Sequence, residues 1–189
     1  MTNQTSLAPT HLQLLTSAHQ WLIERVAQVK TDHLHRPTPC DAFDLEALLH
    51  HLAASIERFT TAVRGPDPET NPIPIDEAQV GGRFEALRVA NLNAWATADM
   101  TATYRIPLGE VPAPVVANVN LAEVVLHGWD VGQATGECAD VPGTLADAVL
   151  AFGKAFLSDD LRGAAFGSEV PYDGDDASAR MIAFYGRRS

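Results

Sequence analysis

The stretch Asn120-Leu-Ala-Glu-Val-Val-Leu-His-Gly-Trp-Asp-Val-Gly-Gln-Ala-Thr-Gly136 carries a potential metal-ligand pair on what reads as a helix. Glu123 and His127 stand four residues apart. At about 3.6 residues per turn this spacing stacks both side chains on one face, able to grip a single ion. Asp130 falls on nearly the same face, while Leu121, Val124, Val125 and Trp129 cover other parts of the surface. The result is a polar stripe on a largely apolar helix, which is expected to be buried on most sides. A buried unpaired carboxylate costs several kcal/mol, and a metal ion is one way to satisfy it. The same spacing also forms ordinary surface pairs, so a third ligand is needed to decide.

The rest of the chain bounds the setting. Its 189 residues suffice for one well-buried core and are too few for two full domains. A composition of 46% hydrophobic and 20% charged residues is that of a folded, soluble protein. The formal net charge of -11 repels a polyanion, which argues against nucleic acid as a partner. The N-terminal Met1-Thr-Asn-Gln-Thr-Ser-Leu-Ala-Pro-Thr10 lacks the basic head and apolar core of a secretory signal, and no apolar run is long enough for a bilayer span. A cytoplasmic protein without a membrane partner is expected. The two cysteines, Cys40 and Cys138, make no disulfide framework and are expected as free thiols.

Apolar periodicity predicts a first helix over about Thr10 to Val29, with Thr10 as N-cap. Pro37, Pro39 and Asp41 make Thr31 to Ala42 a connection. A second helix starts after the N-cap Asp44 and ends near Arg64-Gly65, with His50 and His51 in its middle and Ser55 and Arg58 on the face of His51. Neighbouring helical residues point about 100° apart, so at most one of these histidines joins a given inward-facing site. Pro66, Pro68, Pro72 and Pro74 predict a loop long enough to cross from one end of a bundle to the other and deliver a parallel neighbour.

The third helix begins at Asp76 or at Arg83, since Gly81-Gly82 weaken its start, and runs to Ala98. Thr101 to Ile106 reads as a short extended segment and Pro107-Leu108-Gly109 as a turn. The fourth helix, from about Pro114 to Ala134, is closed by Gly136. Gly128 inside it implies close approach by another backbone or a ligand. A fifth helix follows Pro142, and Asp175-Asp176 cap a short helix through Tyr185. The expected organisation is an all-α bundle over 1–157 with a C-terminal extension, 158–189, packed on it.

Thr38-Pro39-Cys40, Phe43-Asp44-Leu45 leading to His51, and Glu123 to Gly136 together resemble the metal-binding domain of mycothiol-dependent maleylpyruvate isomerase. That family belongs to the DinB-like superfamily of four-helix bundles. The resemblance covers nearly the whole chain, its tail looks like that of a small actinobacterial branch known only as metal-binding proteins, and its sharpest motif is Glu123-x-x-x-His127-Gly128-Trp129-Asp130. It implies that a histidine of the second helix, His51 rather than His50, joins Glu123 and His127 around a divalent metal. Phe43 stands where the family usually has tryptophan, which should alter packing more than ligation. Characterised isomerases carry an additional C-terminal domain for which this chain has little room, so their specific reaction does not follow from the resemblance alone.

Two imidazoles and one carboxylate leave open positions on zinc, as in catalytic sites. Zinc is the default ion, with nickel and iron compatible with the same ligands. A thiol that coordinates zinc loses its proton at neutral pH, so a site of this type can activate a small thiol, mycothiol in the resembled enzymes. The expected activity is a thiol-dependent isomerase or S-transferase acting on a small electrophile, with a non-catalytic, structural or regulatory metal-binding bundle as the alternative. Asp130 is expected as an outer-shell group orienting a ligand or bound water, and Arg58 as an anion contact. Trp21 and Trp129 read as core and Cys40 as a structural thiol. A homodimer is a candidate assembly.

Overall fold

The structure, a computed structural model, describes residues 9–65, 77–158, 162 and 166–188. Among the described residues there are six α-helices: α1 (His11–Val26), α2 (Leu45–Arg64), α3 (Glu77–Ala96), α4 (Ala113–Thr135), α5 (Gly143–Phe156) and α6 (Ala177–Phe184). A short 3-10 helix, Thr31–His33, follows α1, and one hairpin, β1 (Thr103–Ile106) with β2 (Gly109–Pro112), separates α3 from α4. This is an all-α, DinB-like bundle.

Local chemistry sets the boundaries. Thr10 caps α1 in a reciprocal box with Gln13, each side chain bonding the other's backbone N–H. Asp44 accepts from the Ala47 N–H at the start of α2, and Asp176 does the same for Ala179 at α6. Gly136 closes α4 in the left-handed region at φ 87°. Gly81 and Gly82 lie inside α3 rather than interrupting it, and the earlier of the two expected starts is close to the one observed. The expected extended segment is a two-stranded hairpin, registered from Thr103 opposite Pro112 to Ile106 opposite Gly109. Its second strand escapes sequence reading because it is four residues long and ends in proline.

Side-chain contacts give the helix directions. His11 meets Trp95 edge-on and His19 bonds Asn91, so α1 and α3 are antiparallel. Trp21 and Arg25 of α1 lie at Gly128 and Gly132, so α1 and α4 run together. Thr60 reaches the level of Asn120 through Asn91, whereas His51 meets Glu123, so α2 opposes α4. Hence α2 and α3 run in the same direction. The proline-rich crossover expected between them lies outside the described residues.

The core is continuous, with Leu15, Leu22, Leu48, Leu52, Ile56, Phe84, Leu121 and Val125 essentially inaccessible. Each such side chain contributes about 1.5–3 kcal/mol by leaving water. Almost all of α4 is buried, as its apolar surround predicts, and Trp21 and Trp129 are core residues. Gly128 admits a side chain and not a backbone or ligand: a Cβ there would stand 2.7 Å from Cζ3 of Trp21.

The C-terminal elements pack on this bundle. Ser178 Oγ accepts from the Val141 N–H, and the Tyr185 hydroxyl donates to the Val149 carbonyl at 3.0 Å. No described helix is long and apolar enough to cross a membrane.

Candidate metal centre

Three helical positions build the site. Heptad-like burial of Leu45, Leu48, Leu49, Leu52, Ile56 and Phe59 fixes the rotation of α2 about its axis, leaving His50 exposed and turning His51 toward α4. On α4, Glu123 and His127 lie one turn apart on the side facing α2. His51 Nε2 is 3.4 Å and His127 Nε2 3.7 Å from Oε2 of Glu123, and one ligand atom from each residue lies within 4.8 Å of the others.

That convergence fits a metal ion. Ligand atoms about 2.1 Å from a tetrahedral zinc stand about 3.4 Å apart, close to the separations seen. Glu123 Oε2 is sealed from solvent and has no hydrogen-bond partner among the described residues. A sealed acceptor facing two imidazole nitrogens is a costly arrangement that a shared cation resolves. Burial opposes ionisation of Glu123, but the imidazoles of His51 and His127 and the Ser55 hydroxyl outweigh it and hold the carboxyl below its ordinary value. The donor set of two imidazoles and one carboxylate is one that zinc, nickel or iron accepts.

The surroundings orient both histidines. Thr38 Oγ1 donates toward the Cys40 and Phe43 carbonyls and accepts from the Cys40 N–H, stitching the Thr38–Phe43 turn. The turn presents Phe43, whose ring stacks on His51 at 4.9 Å and 26°. Phenylalanine in this position thus packs against a ligand candidate without displacing it. His127 and His51 meet nearly perpendicularly, 5.0 Å between ring centres.

Behind His127 lies a chain of buried charge. His127 Nδ1 is 3.0 Å from Oδ2 of Asp130, and Arg187 donates from both Nε and a terminal nitrogen to the two Asp130 oxygens at 2.8 Å. Asp130 is fully buried and Arg187 is 6% exposed. Burial pushes the Asp130 carboxyl up, and the Arg187 guanidinium, with His127 adding, more than offsets this, so Asp130 sits below its ordinary value. With Nδ1 protonated to donate to Asp130, His127 presents the lone pair of Nε2 to the centre. Removing one member of such a buried pair costs about 3–5 kcal/mol because the other charge is left uncompensated.

The spatial grouping therefore gathers His51, Glu123 and His127, with Asp130 directly behind. Arg58 is exposed on α2, about two turns beyond His51, and stands outside that group. Ser55 and Arg187 are the residues that sequence reasoning did not assign to the centre. Ser55 had a signal, one turn from His51 on the same face. Arg187 had none, being 57 residues from its partner.

The model of the mycothiol maleylpyruvate isomerase N-terminal domain family matches residues 15–132, which span every ligand candidate and Asp130. The chain belongs to this family. Two uncharacterised proteins from Mycobacterium tuberculosis, of strains CDC 1551 / Oshkosh and ATCC 25618 / H37Rv, are each 31% identical over 166 residues. Those alignments cover 86% of this chain and 89% of each relative, so the similarity is longer than the stretch matched by the family model. No solved structure matches the chain.

Proposed function

We propose that this family member binds one divalent metal ion through His51, Glu123 and His127 and uses it in a reaction of a small thiol with an electrophile, as an isomerase or S-transferase. The observation that carries the reading is the division of labour among the polar groups. Three ligand candidates converge, while Asp130 is fully engaged by Arg187 and His127 and is withheld from serving as a fourth. The His51 and Glu123 side chains keep 32% and 23% of their exposure, which supports access to the centre from the His51 side although Glu123 Oε2 itself is sealed. Three protein ligands with a reachable remaining position are the pattern of catalytic sites, whereas structural sites are saturated.

A divalent ion held there supplies the Lewis acidity that brings a small thiol into its nucleophilic thiolate form at neutral pH. The protein's own part is positioning. Glu123 contributes the negative charge, and the Asp130 carboxylate keeps the imidazole of His127 in one tautomer and one orientation. Phe43 covers one face of the His51 ring and limits its rotation. In an isomerisation the sulfur adds to one carbon of an activated double bond and leaves again, returning the thiol. In a transfer the new carbon–sulfur bond remains and the leaving group departs with its electron pair. Arg58 is the proposed contact for an anionic substituent of the substrate. Mycothiol is the proposed thiol and zinc the proposed ion, on the strength of the family.

The test is elemental analysis of purified wild type beside His127→Ala, followed by addition of mycothiol to the cobalt-substituted protein. About one metal per chain, lost in the variant, with a visible-band change on adding thiol, is the expected result. Stoichiometric metal with no spectral response to thiol overturns the enzymatic reading in favour of a structural metal centre. No metal after reconstitution overturns both.

A further inference from the structure

We propose that Arg187 is a positioning residue of the metal centre and that the C-terminal segment is a latch whose docking is coupled to metal retention. The inference rests on the metal-binding reading above and assigns a function to a part of the chain beyond the matched domain. Its basis is the unbroken line from the tail to the centre: guanidinium of Arg187, both oxygens of Asp130, Nδ1 of His127, with Nε2 of the same ring facing Glu123 and His51.

Arg187 is placed by construction rather than by chance. Gly186 turns the chain after α6 in the left-handed region at φ 78°, where other residues are strained. The same glycine packs so closely on Gly167 that a Cβ would fall 2.6 Å from its backbone carbon atoms. The Arg187 N–H then bonds the Ile182 carbonyl at 3.1 Å. Arg162 donates to the carbonyls of Gly167 and Phe184 at 3.1 and 2.9 Å and lies over the Phe184 ring, tying together the two ends of the segment. Tyr185 anchors the same turn to α5.

The coupling follows from what each state leaves buried. With the segment docked, Asp130 is a compensated carboxylate that holds one His127 tautomer. With the segment undocked, Asp130 loses its counter-charge and draws on His127 alone or admits water, which releases the ring from its fixed orientation. An ion bound at Nε2 prefers the first state, and by linkage the ion must favour docking by the same factor that docking favours the ion. A bidentate guanidinium suits this role better than an ammonium, because its fork fixes both carboxylate oxygens at once.

The experiment measures zinc affinity by chelator competition for wild type, Arg187→Lys, Arg187→Gln and Asp130→Asn. It also follows amide hydrogen exchange of α6 and α3 in wild type and in Arg187→Lys, with and without zinc. The expected result is a loss of affinity of about 10–100-fold in Arg187→Gln and a smaller loss in Arg187→Lys. The Asp130→Asn, Arg187→Gln double variant should bind no worse than the weaker single variant. Zinc should slow exchange in α6 of wild type more than in α3, and this excess should shrink in Arg187→Lys by the same factor as the affinity. If Arg187→Gln does not fold, the lysine variant and the wild-type exchange decide the matter without it. Folded variants with wild-type affinity, or α6 exchange indifferent to zinc in a wild type that binds it, overturn the latch alone. A wild type that binds no zinc overturns the metal reading together with the latch.

Discussion

His51 Nε2 and Glu123 Oε2 face each other at 3.4 Å across the packing of α2 on α4, the Glu123 oxygen sealed and unbonded. A ligand that binds only the folded chain stabilises it by mass action, by about 2.7 kcal/mol when its free concentration is a hundred times its dissociation constant. Zinc should therefore raise the unfolding midpoint of wild type, and His51→Ala or Glu123→Gln should remove that rise while leaving the metal-free protein folded. Thermal unfolding with and without zinc checks this. A rise that survives in both variants would place the ion elsewhere.

Gly128 sits between His127 and Trp129 with the edge of Trp21 against its Cα. Alanine has the better helix propensity by about 1 kcal/mol, and on an exposed helix this substitution stabilises. Here the added methyl meets a ring held in the core, where overpacking costs about 1–3 kcal/mol. Gly128→Ala should therefore be destabilised in urea unfolding by up to about 2 kcal/mol. Because the Trp21 ring would push α4 away from α1 next to His127, zinc affinity should fall as well. A stabilised Gly128→Ala would contradict the geometry.

Much of this was legible where the signal is local. Glu123 and His127 announce themselves by one-turn spacing on one helix, and Asp44, Asp176 and Gly136 mark element ends by the chemistry of their own neighbours. His51 needed the family resemblance, since the register of α2 against α4 is set by core packing and has no trace in spacing. Arg187 was invisible for the same reason at greater range: an arginine two residues before the last reads as a solvated charge until the tail is seen folding back onto Asp130. The close contact at Gly128 was expected, but its partner was not, because a tryptophan on α1 carries no mark of which helix it faces.

Cys40 lies beside the Asp130–Arg187 pair in the stitched turn, half-buried, while Cys138 is exposed at the end of α4. Burial pushes the Cys40 thiol up, and the Asp130 charge adds to this against a smaller opposing effect of Arg187. A raised thiol yields less thiolate at neutral pH and reacts more slowly. Iodoacetamide at pH 7.5 should therefore modify Cys138 first, by about tenfold or more in rate, as read by peptide mass spectrometry. Equal rates would mean that Cys40 is reachable and activated, and would reopen it as a nucleophile.

His19 is fully enclosed between α1 and α3, its Nε2 3.0 Å from Oδ1 of Asn91. That oxygen also accepts from Asn120, and the Asn91 amide nitrogen donates to Thr60, so one neutral network joins four helices. Burial disfavours the imidazolium, and despite the opposing Asn91 bond the pKa falls from 6.5 to about 4. The folded chain thus takes up this proton less readily than the unfolded chain. Its contribution is fully present above pH 6.5 and is lost as pH falls from there toward about 4, at up to about 1.4 kcal/mol per pH unit. Urea unfolding at pH 7 and pH 4.5, in chelator so that metal loss does not intrude, should show His19→Gln losing about 2 kcal/mol less than wild type over that interval. The other titrating groups are common to both proteins and cancel in the difference. Equal losses would mean that His19 is protonated within the fold, and that the Asn91 contact is made by a charged ring.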